Sequence, residues 1–237
     1  MWYVFLGLEI ILVVLMIMFH VKNRYPQLLV FKTLASLGFV ILCVMTVWQK
    51  SFNTEFFSWT PNYMALEGRT TWLVVSGLTF GMAGDVILGI KAKSMEERDK
   101  LLSTGMLVFG LGHLVFFAAL LTHSSFTFFA LGIAAGSVPF VFILKEKEQM
   151  QMGNLLLPSV LYMFVLSLVA AQAWHGYIIA GDSWFLMMAI GLTLFLLSDV
   201  VLSFIYFAYR TGPLMQAINL SLYYAAQIVI ATSIVLL

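Results

Sequence analysis

Charge and cysteine are scarce in this chain of 237 residues. Only 10% of the residues are charged against 62% hydrophobic, and the mean hydropathy is +1.01. A water-soluble domain of this size needs a polar skin that such a composition does not supply, so a soluble globule is excluded. The single cysteine, Cys43, excludes an internal disulfide and leaves no thiolate cluster for zinc or iron. A formal net charge of +1, with no basic stretch interleaved with aromatics outside the apolar runs, gives no footprint for a nucleic acid.

What the chain does have is apolar runs of about 20 residues, each long enough to cross a hydrocarbon core of roughly 30 Å as helix. They lie at about 2–21, 28–48, 70–90, 101–121, 126–144, 155–174, 183–205 and 214–236. The runs lack the strict alternation of a β-barrel strand and are about twice as long as such strands need to be. The expected fold is therefore an all-α integral membrane bundle of eight transmembrane helices, forming one domain over residues 1–237 without linkers. The first run has no basic segment before it and no small-residue cleavage site after it, and is read as a retained helix.

Lysine and arginine are distributed unevenly between the loops. Odd-numbered loops hold Lys22, Arg24, Lys91, Lys93, Arg98, Lys100, Lys145, Lys147 and Arg210, whereas even-numbered loops hold Lys50 and Arg69. The positive-inside rule then places both termini away from the cytoplasm. Absence of a targeting motif favours a bacterial plasma membrane. The longest loop, about 49–69, carries Phe56, Phe57, Trp59 and Tyr63 and is expected to lie along the outer interface as part of an aromatic belt.

Two segments resemble each other. GLTFGMAGDVILGI at 77–90 and GLTLFLLSDVVLSF at 191–204 share six of fourteen positions at an offset of 114, near half the chain. That spacing predicts a parallel duplication of a four-helix unit, about 1–121 and 122–237, because the third and seventh spans run in the same direction. Chance similarity between two apolar helices is the competing reading, since membrane helices use few residue types. Small residues mark the faces expected to pack: Gly77, Gly81 and Gly84 are spaced i, i+4, i+7, and Gly132 with Gly136 forms a second small pair.

The ionisable residues inside the spans are Glu9, Lys32, Asp85, His113 and Asp199, accompanied by Tyr162, Tyr223, Tyr224 and Gln227. A charge at such depth costs a few kcal/mol even on the lenient insertion scale, so it persists mostly where it pairs or lines a cavity. Asp85 and Asp199 fall at one depth near the cytoplasmic ends of their helices. Lys32 and Tyr162 enter that layer from the same side, and His113 and Gln227, related by the offset, lie near mid-membrane. Most of this set is expected to line one cavity opening toward the cytoplasmic leaflet. Glu9 belongs to the outer third of the first span and is left out of the site. Plainer roles exist for each: Lys32 snorkelling to headgroups, His113 as a helix–helix hydrogen bond, the tyrosines as interfacial anchors.

These residues carry a resemblance to a known family. The GDVxLG segment around Asp85, the Gly112–His113 pair, the SDVxLS segment around Asp199 and the YYAAQ run from Tyr223 to Gln227 are similar to the YhhN-like family of membrane lysoplasmalogenases, over nearly the whole chain. Lys32, Thr33 and Leu34 resemble the lysine-containing start of that family's second span, without the proline that would follow the lysine. Tyr162 matches a tyrosine of the sixth span less specifically. The resemblance implies hydrolysis of the vinyl-ether bond of lysoplasmalogens to a fatty aldehyde and a glycerophosphoethanolamine or glycerophosphocholine. In that reading one of Asp85 and Asp199 is the general acid, while the other, ionised, stabilises the cation and activates water. Lys32 or Arg210 holds the phosphate; His113, Tyr162, Tyr223, Tyr224 and Gln227 complete the substrate-binding set. The partners are a lysophospholipid and membrane lipids. No cofactor is implied, and no HExxH or clustered ligand spacing points to a metal.

Other readings compete. Internal repeats with intramembrane carboxylates also build proton-coupled transporters, although Pro139 and Pro158 do not correspond under the offset. An intramembrane aspartyl protease is disfavoured because GMAGD misses the GxGD pattern and no PAL tripeptide occurs. A purely structural Asp85–Lys32 pair, tying helices together, is the third alternative.

Overall fold

The computed structural model describes the backbone of residues 2–21, 25–53 and 61–237, and the side chains of 2–20, 29–48 and 66–237. Among these the secondary structure is helical throughout. The α-helices are α1 (Trp2–Val21), α2 (Tyr25–Asn53), α3 (Pro61–Gly89), α4 (Met95–Leu121), α5 (Phe128–Lys147), α6 (Leu156–Ala180), α7 (Ser183–Phe207) and α8 (Pro213–Ser233). All eight are long and apolar enough to cross a membrane, as a chain that must satisfy its backbone hydrogen bonds without water requires. The protein is an all-helical integral membrane bundle.

Short polar connections set the ends. Ser94 caps α4 by accepting from the Glu97 amide at 3.1 Å, and Glu97 reaches back to the Lys93 amide at 2.6 Å. Asp182 caps α7 through the Trp184 amide at 2.8 Å, directly after Gly181 closes α6 in the left-handed conformation (φ 66°). Both are the residue types that free helix-terminal amides and a left-handed C-terminal turn select.

Successive helices pack as antiparallel neighbours, α1 on α2, α2 on α3, α3 on α4, α5 on α6, α6 on α7 and α7 on α8. Two non-sequential contacts, α4 on α6 and α2 on α8, join the halves. An offset of four helices exchanges those two contacts, and also α2–α3 with α6–α7, whereas the contacts of α8 with α1 and α3 have no such counterpart. α8 is the most buried element and also meets α1 and α3, whereas α1 and α5 lie at the periphery. The α3–α4 crossing depends on small residues: a Cβ on Gly112 would stand 3.1 Å from the Gly77 carbonyl oxygen and 3.0 Å from Phe80 Cβ.

Two expectations change. Residues 49–53 continue α2 and 61–69 belong to α3, so most of the segment expected as a long loop is helix, extending the apolar runs by turns at their polar ends. Phe56, Phe57 and Trp59, and the Tyr63 side chain, lie outside the described residues. Gly132 and Gly136 have no described side chain or neighbouring helix within 4 Å of the position a Cβ would take, so this small pair faces outward and does not mark a packed helix face. The peripheral position of α5 is the reason: only Ala130, Ala134 and Val141 of that helix are buried.

Candidate active site

Asp85 lies near the end of α3 and is 4% exposed. Each of its carboxylate oxygens has a partner of its own. Lys32 Nζ, from the first turns of α2, stands 2.9 Å from Oδ1. Oδ2 accepts from the Tyr224 hydroxyl at 2.6 Å and from the Ser36 hydroxyl. Ser36 follows Lys32 by one helical turn, so one face of α2 supplies both. Ser36 and Tyr224 are also within 3.2 Å of each other. A carboxylate with one cation and two hydroxyl donors is fully compensated, which is the condition for a buried charge to persist as a charge.

Asp199, near the end of α7, is served differently. Tyr162 of α6 donates to Oδ2 at 2.5 Å, and no salt bridge involving Asp199 is found among the described residues. Beside it, α7 and α8 are clasped by two side chains: Asn219 Nδ2 donates to the Ser198 carbonyl at 2.8 Å and to Ser198 Oγ at 3.0 Å, while Ser198 Oγ donates to the Asn219 carbonyl at 3.1 Å. These bonds fix the height of α7 against α8 at the residue preceding the acid.

Two chambers meet at Asp199. The more polar one, of about 210 Å³, is bordered by Lys32, Asp85, Ser198, Asp199, Asn219 and Tyr223, with His20, Tyr206 and Gln216 toward the end of the bundle where the odd-numbered loops lie and with Leu88, Phe109, Leu202, Ile205 and Leu220 completing its wall. The second, of about 60 Å³, is almost wholly apolar, with Met106, Phe140, Val141, Met163 and Phe207 in its wall and Tyr162 at the Asp199 end. Asp199, Leu202 and Tyr206 border both. Their i, i+3, i+7 spacing makes them one stripe of α7, a ridge with polar space on one flank and apolar space on the other.

The residues expected from the sequence are thus sorted into three positions. Lys32, Asp85, Asp199 and Tyr223 border the polar chamber. Tyr162, in the wall of the apolar chamber, and Tyr224, which borders neither chamber, hydrogen-bond the two aspartates. His113 and Gln227 border neither chamber: they lie a layer deeper, both buried, where Gln227 Nε2 donates to the Tyr223 hydroxyl at 3.1 Å and Tyr223 in turn donates to the Gly81 carbonyl at 3.3 Å. His113 Nδ1 hydrogen-bonds the Phe109 carbonyl at 2.7 Å, which fixes the proton on that nitrogen, and its ring stands edge-on to Phe195 at 4.6 Å. Arg210 is engaged with Glu148 and lies over the Phe204 ring and borders neither chamber, so of the two cations expected at the site it is Lys32 that borders the polar chamber.

Ser36, Ser198, Asn219, Gln216, His20 and Tyr206 were not among the residues expected. Three carried a signal: Ser36 is Lys32 plus four, and Asn219 and Gln216 precede Tyr223 by four and seven on one helical face. His20 carried none, because its place at the chamber depends on where the end of α1 meets α8.

No curated protein and no solved structure shows significant similarity to this chain. The family comparison does: residues 27–234 match the model of the YhhN family, the lysoplasmalogenase family, and that span takes in both aspartates and every helix but α1. The chain belongs to the YhhN family.

Proposed function

We propose that this protein hydrolyses the vinyl-ether bond of lysoplasmalogens, releasing a fatty aldehyde and a glycerophospho-base. Its membership of the YhhN family supports a membrane hydrolase of this kind. The observation that carries the reading to these residues is the position of Asp199 on a ridge between a polar and an apolar chamber. A vinyl ether joins the glycerophosphate half of such a lipid to its hydrocarbon half, so a substrate lying across the ridge brings the scissile group to that carboxyl.

The roles divide by charge compensation. Asp85 has a cation and two hydroxyl donors and anchors Lys32 Nζ at the polar chamber for the phosphate. Asp199 has only a phenol beside it and is the carboxyl that carries a proton at least cost. In the first step Asp199 transfers its proton to the β-carbon of the enol ether, and the α-carbon becomes an oxocarbenium ion next to the new carboxylate. Water entering from the polar chamber adds to that carbon, and its proton returns to Asp199. The hemiacetal then loses the glycerol oxygen as an alcohol, with a proton moving from the hemiacetal hydroxyl to the departing oxygen. Tyr162 keeps the Asp199 carboxyl oriented throughout. By the positive-inside rule the polar chamber faces the cytoplasmic leaflet.

The test is aldehyde release from a 1-alkenyl lysophospholipid by purified protein in detergent, beside monodisperse Asp199→Asn and Asp85→Asn. Aldehyde from the wild type with almost none from either variant is the expected result. No aldehyde from well-behaved wild type across headgroups and pH would overturn the hydrolase reading in favour of proton-coupled transport.

A further inference from the structure

The connection between α5 and α6 supplies part of the wall of the apolar chamber. After Lys147 the chain turns with Gln149 at φ 51°, and the Met150 amide bonds back to the Lys145 carbonyl at 2.9 Å. The Gln151 amide then donates to the Phe207 carbonyl at 2.9 Å, tying the connection to the last residue of α7. Gln151 itself is exposed, while its neighbours Met150 and Met152 are both 5% exposed and both enter the wall of the chamber. A connection of this length ordinarily runs over the surface. This one turns two large apolar side chains inward and is anchored by a backbone bond that holds them there.

We infer that Met150 and Met152 form the stop of a hydrocarbon site, and that they set the chain length the protein accepts. The occupant is the single aliphatic chain of an amphiphile whose headgroup lies in the polar chamber, because the two chambers share Asp199, Leu202 and Tyr206 along one ridge. The identity of the amphiphile rests on the lysolipid reading above. Methionine suits a stop that must yield by degrees, since its unbranched side chain adopts several rotamers at low cost. At about 60 Å³ the chamber is less than a third of the volume of its polar neighbour. In this reading a chain that reaches the methionines extends further only by displacing them.

Cutting either methionine back to alanine removes three heavy atoms and makes room for roughly three methylenes. Each added methylene buried there strengthens binding about fourfold, the factor that corresponds to the transfer of one CH₂ out of water. The experiment uses the full-length protein in detergent and a series of saturated 1-O-alkyl lysophospholipids from ten to eighteen carbons, which bind without being cleaved. Affinity is measured by titration calorimetry, with monodispersity confirmed for each variant. The wild type is expected to lose affinity beyond a particular length. Met150→Ala and Met152→Ala are expected to move that limit up by about three carbons, and Ser203→Phe, which fills the same chamber from α7, to move it down.

An unchanged length profile in all three folded variants would overturn the proposal and mean that the chain leaves sideways into the bilayer. Aldehyde release from 1-alkenyl lysolipids, followed in parallel, separates the two readings. Shifted binding limits with no aldehyde would leave the chain site standing without the hydrolase. Aldehyde with unshifted limits would do the reverse.

Discussion

Removing Lys32 while leaving Asp85 in place would test whether the pair is a brace or part of a site. Lys32→Met keeps the length of the side chain and deletes the charge. Asp85, 4% exposed, would retain Ser36 and Tyr224 but lose its one cation among the described residues. Breaking a buried ion pair from one side costs about 3–5 kcal/mol, and the two remaining hydroxyl donors put this case at the lower end. For a chain of this size that is a fall in melting temperature of roughly 6–12 °C. Asp85→Asn should cost less, because the Lys32 side chain is 12% exposed and sits in the first turns of α2, where the ammonium can reach water. The double variant leaves neither charge stranded and should recover most of the loss, a coupling on the order of 2 kcal/mol in a double-mutant cycle. Melting followed by fluorescence-detected size exclusion in detergent reads all four proteins. Additive losses, with coupling below about 0.5 kcal/mol, would refute the energetic argument. The same four proteins decide the role: a brace predicts that the stable double variant keeps its activity, whereas the site described here predicts a fall in kcat/KM of a hundredfold or more, mostly in KM.

Asp199→Asn should melt close to the wild type and lose about 10²–10⁴ in kcat, the range for removal of a general acid. Tyr162→Phe should lower kcat more than it changes KM, because it deletes the hydroxyl that orients Asp199 and keeps the ring in the chamber wall. Glu9 is 1% exposed, its carboxylate oxygens have no hydrogen-bond partner among the described residues, and it packs on the bare face of Gly38. Glu9→Gln or Glu9→Leu should therefore raise the melting temperature by an amount equivalent to about 1–3 kcal/mol with activity intact; a fall in stability would show a partner for that carboxyl. At the other end of the bundle, His123 follows the last turn of α4 with Nε2 2.9 Å from the Thr70 hydroxyl. Burial holds its imidazole below the usual histidine range, against an opposing pull from Asp182 and Glu67. The unfolded chain then binds the extra proton, so stability should fall as pH drops below about 6.5, and His123→Gln should flatten that slope. Cys43 is fully buried, so a Ser94→Cys protein in cells has one reactive thiol in the loop after α3. Labelling of that thiol only after the inner face is exposed would establish the orientation read from the loop charges.

The number and order of helices were legible because eight hydrophobic runs of membrane length leave little choice of fold. Their ends were not. α2 and α3 extend past their apolar segments into polar turns, and hydropathy loses contrast there although the backbone continues as helix. The aspartates stood out for the same reason as the spans, a charge where charge is costly. The partition of their surroundings was out of reach, since it depends on which neighbouring helix faces each one. Lys32 and Ser36 reach Asp85 because α2 packs on α3, and Tyr162 reaches Asp199 because α6 packs on α7. Gly132 and Gly136 show the opposite limit: a small pair on a membrane helix implies a close neighbour only if a helix is there to approach.

One arrangement, used twice, accounts for why the two carboxyls differ. Asp85 and Asp199 hold corresponding places in two similar segments, and in each case the preceding helix supplies a side chain that meets the carboxyl. In α2 the partner is an ammonium with a hydroxyl one turn on; in α6 it is a phenol. Asp85 also accepts from the Tyr224 phenol of α8, so what sets it apart from Asp199 is the ammonium and the serine hydroxyl of α2, and under the proposed function that difference separates an anchoring charge from a proton donor. The flanking space follows the same division, with polar walls on the Asp85 side and methionine and phenylalanine beyond Asp199. Exchanging the partners is therefore the sharpest perturbation of the scheme. Tyr162→Lys would give Asp199 a cation and take away its proton, and should abolish aldehyde release in a folded protein even though every carboxylate remains. Activity in that variant would mean that the proton comes from another group.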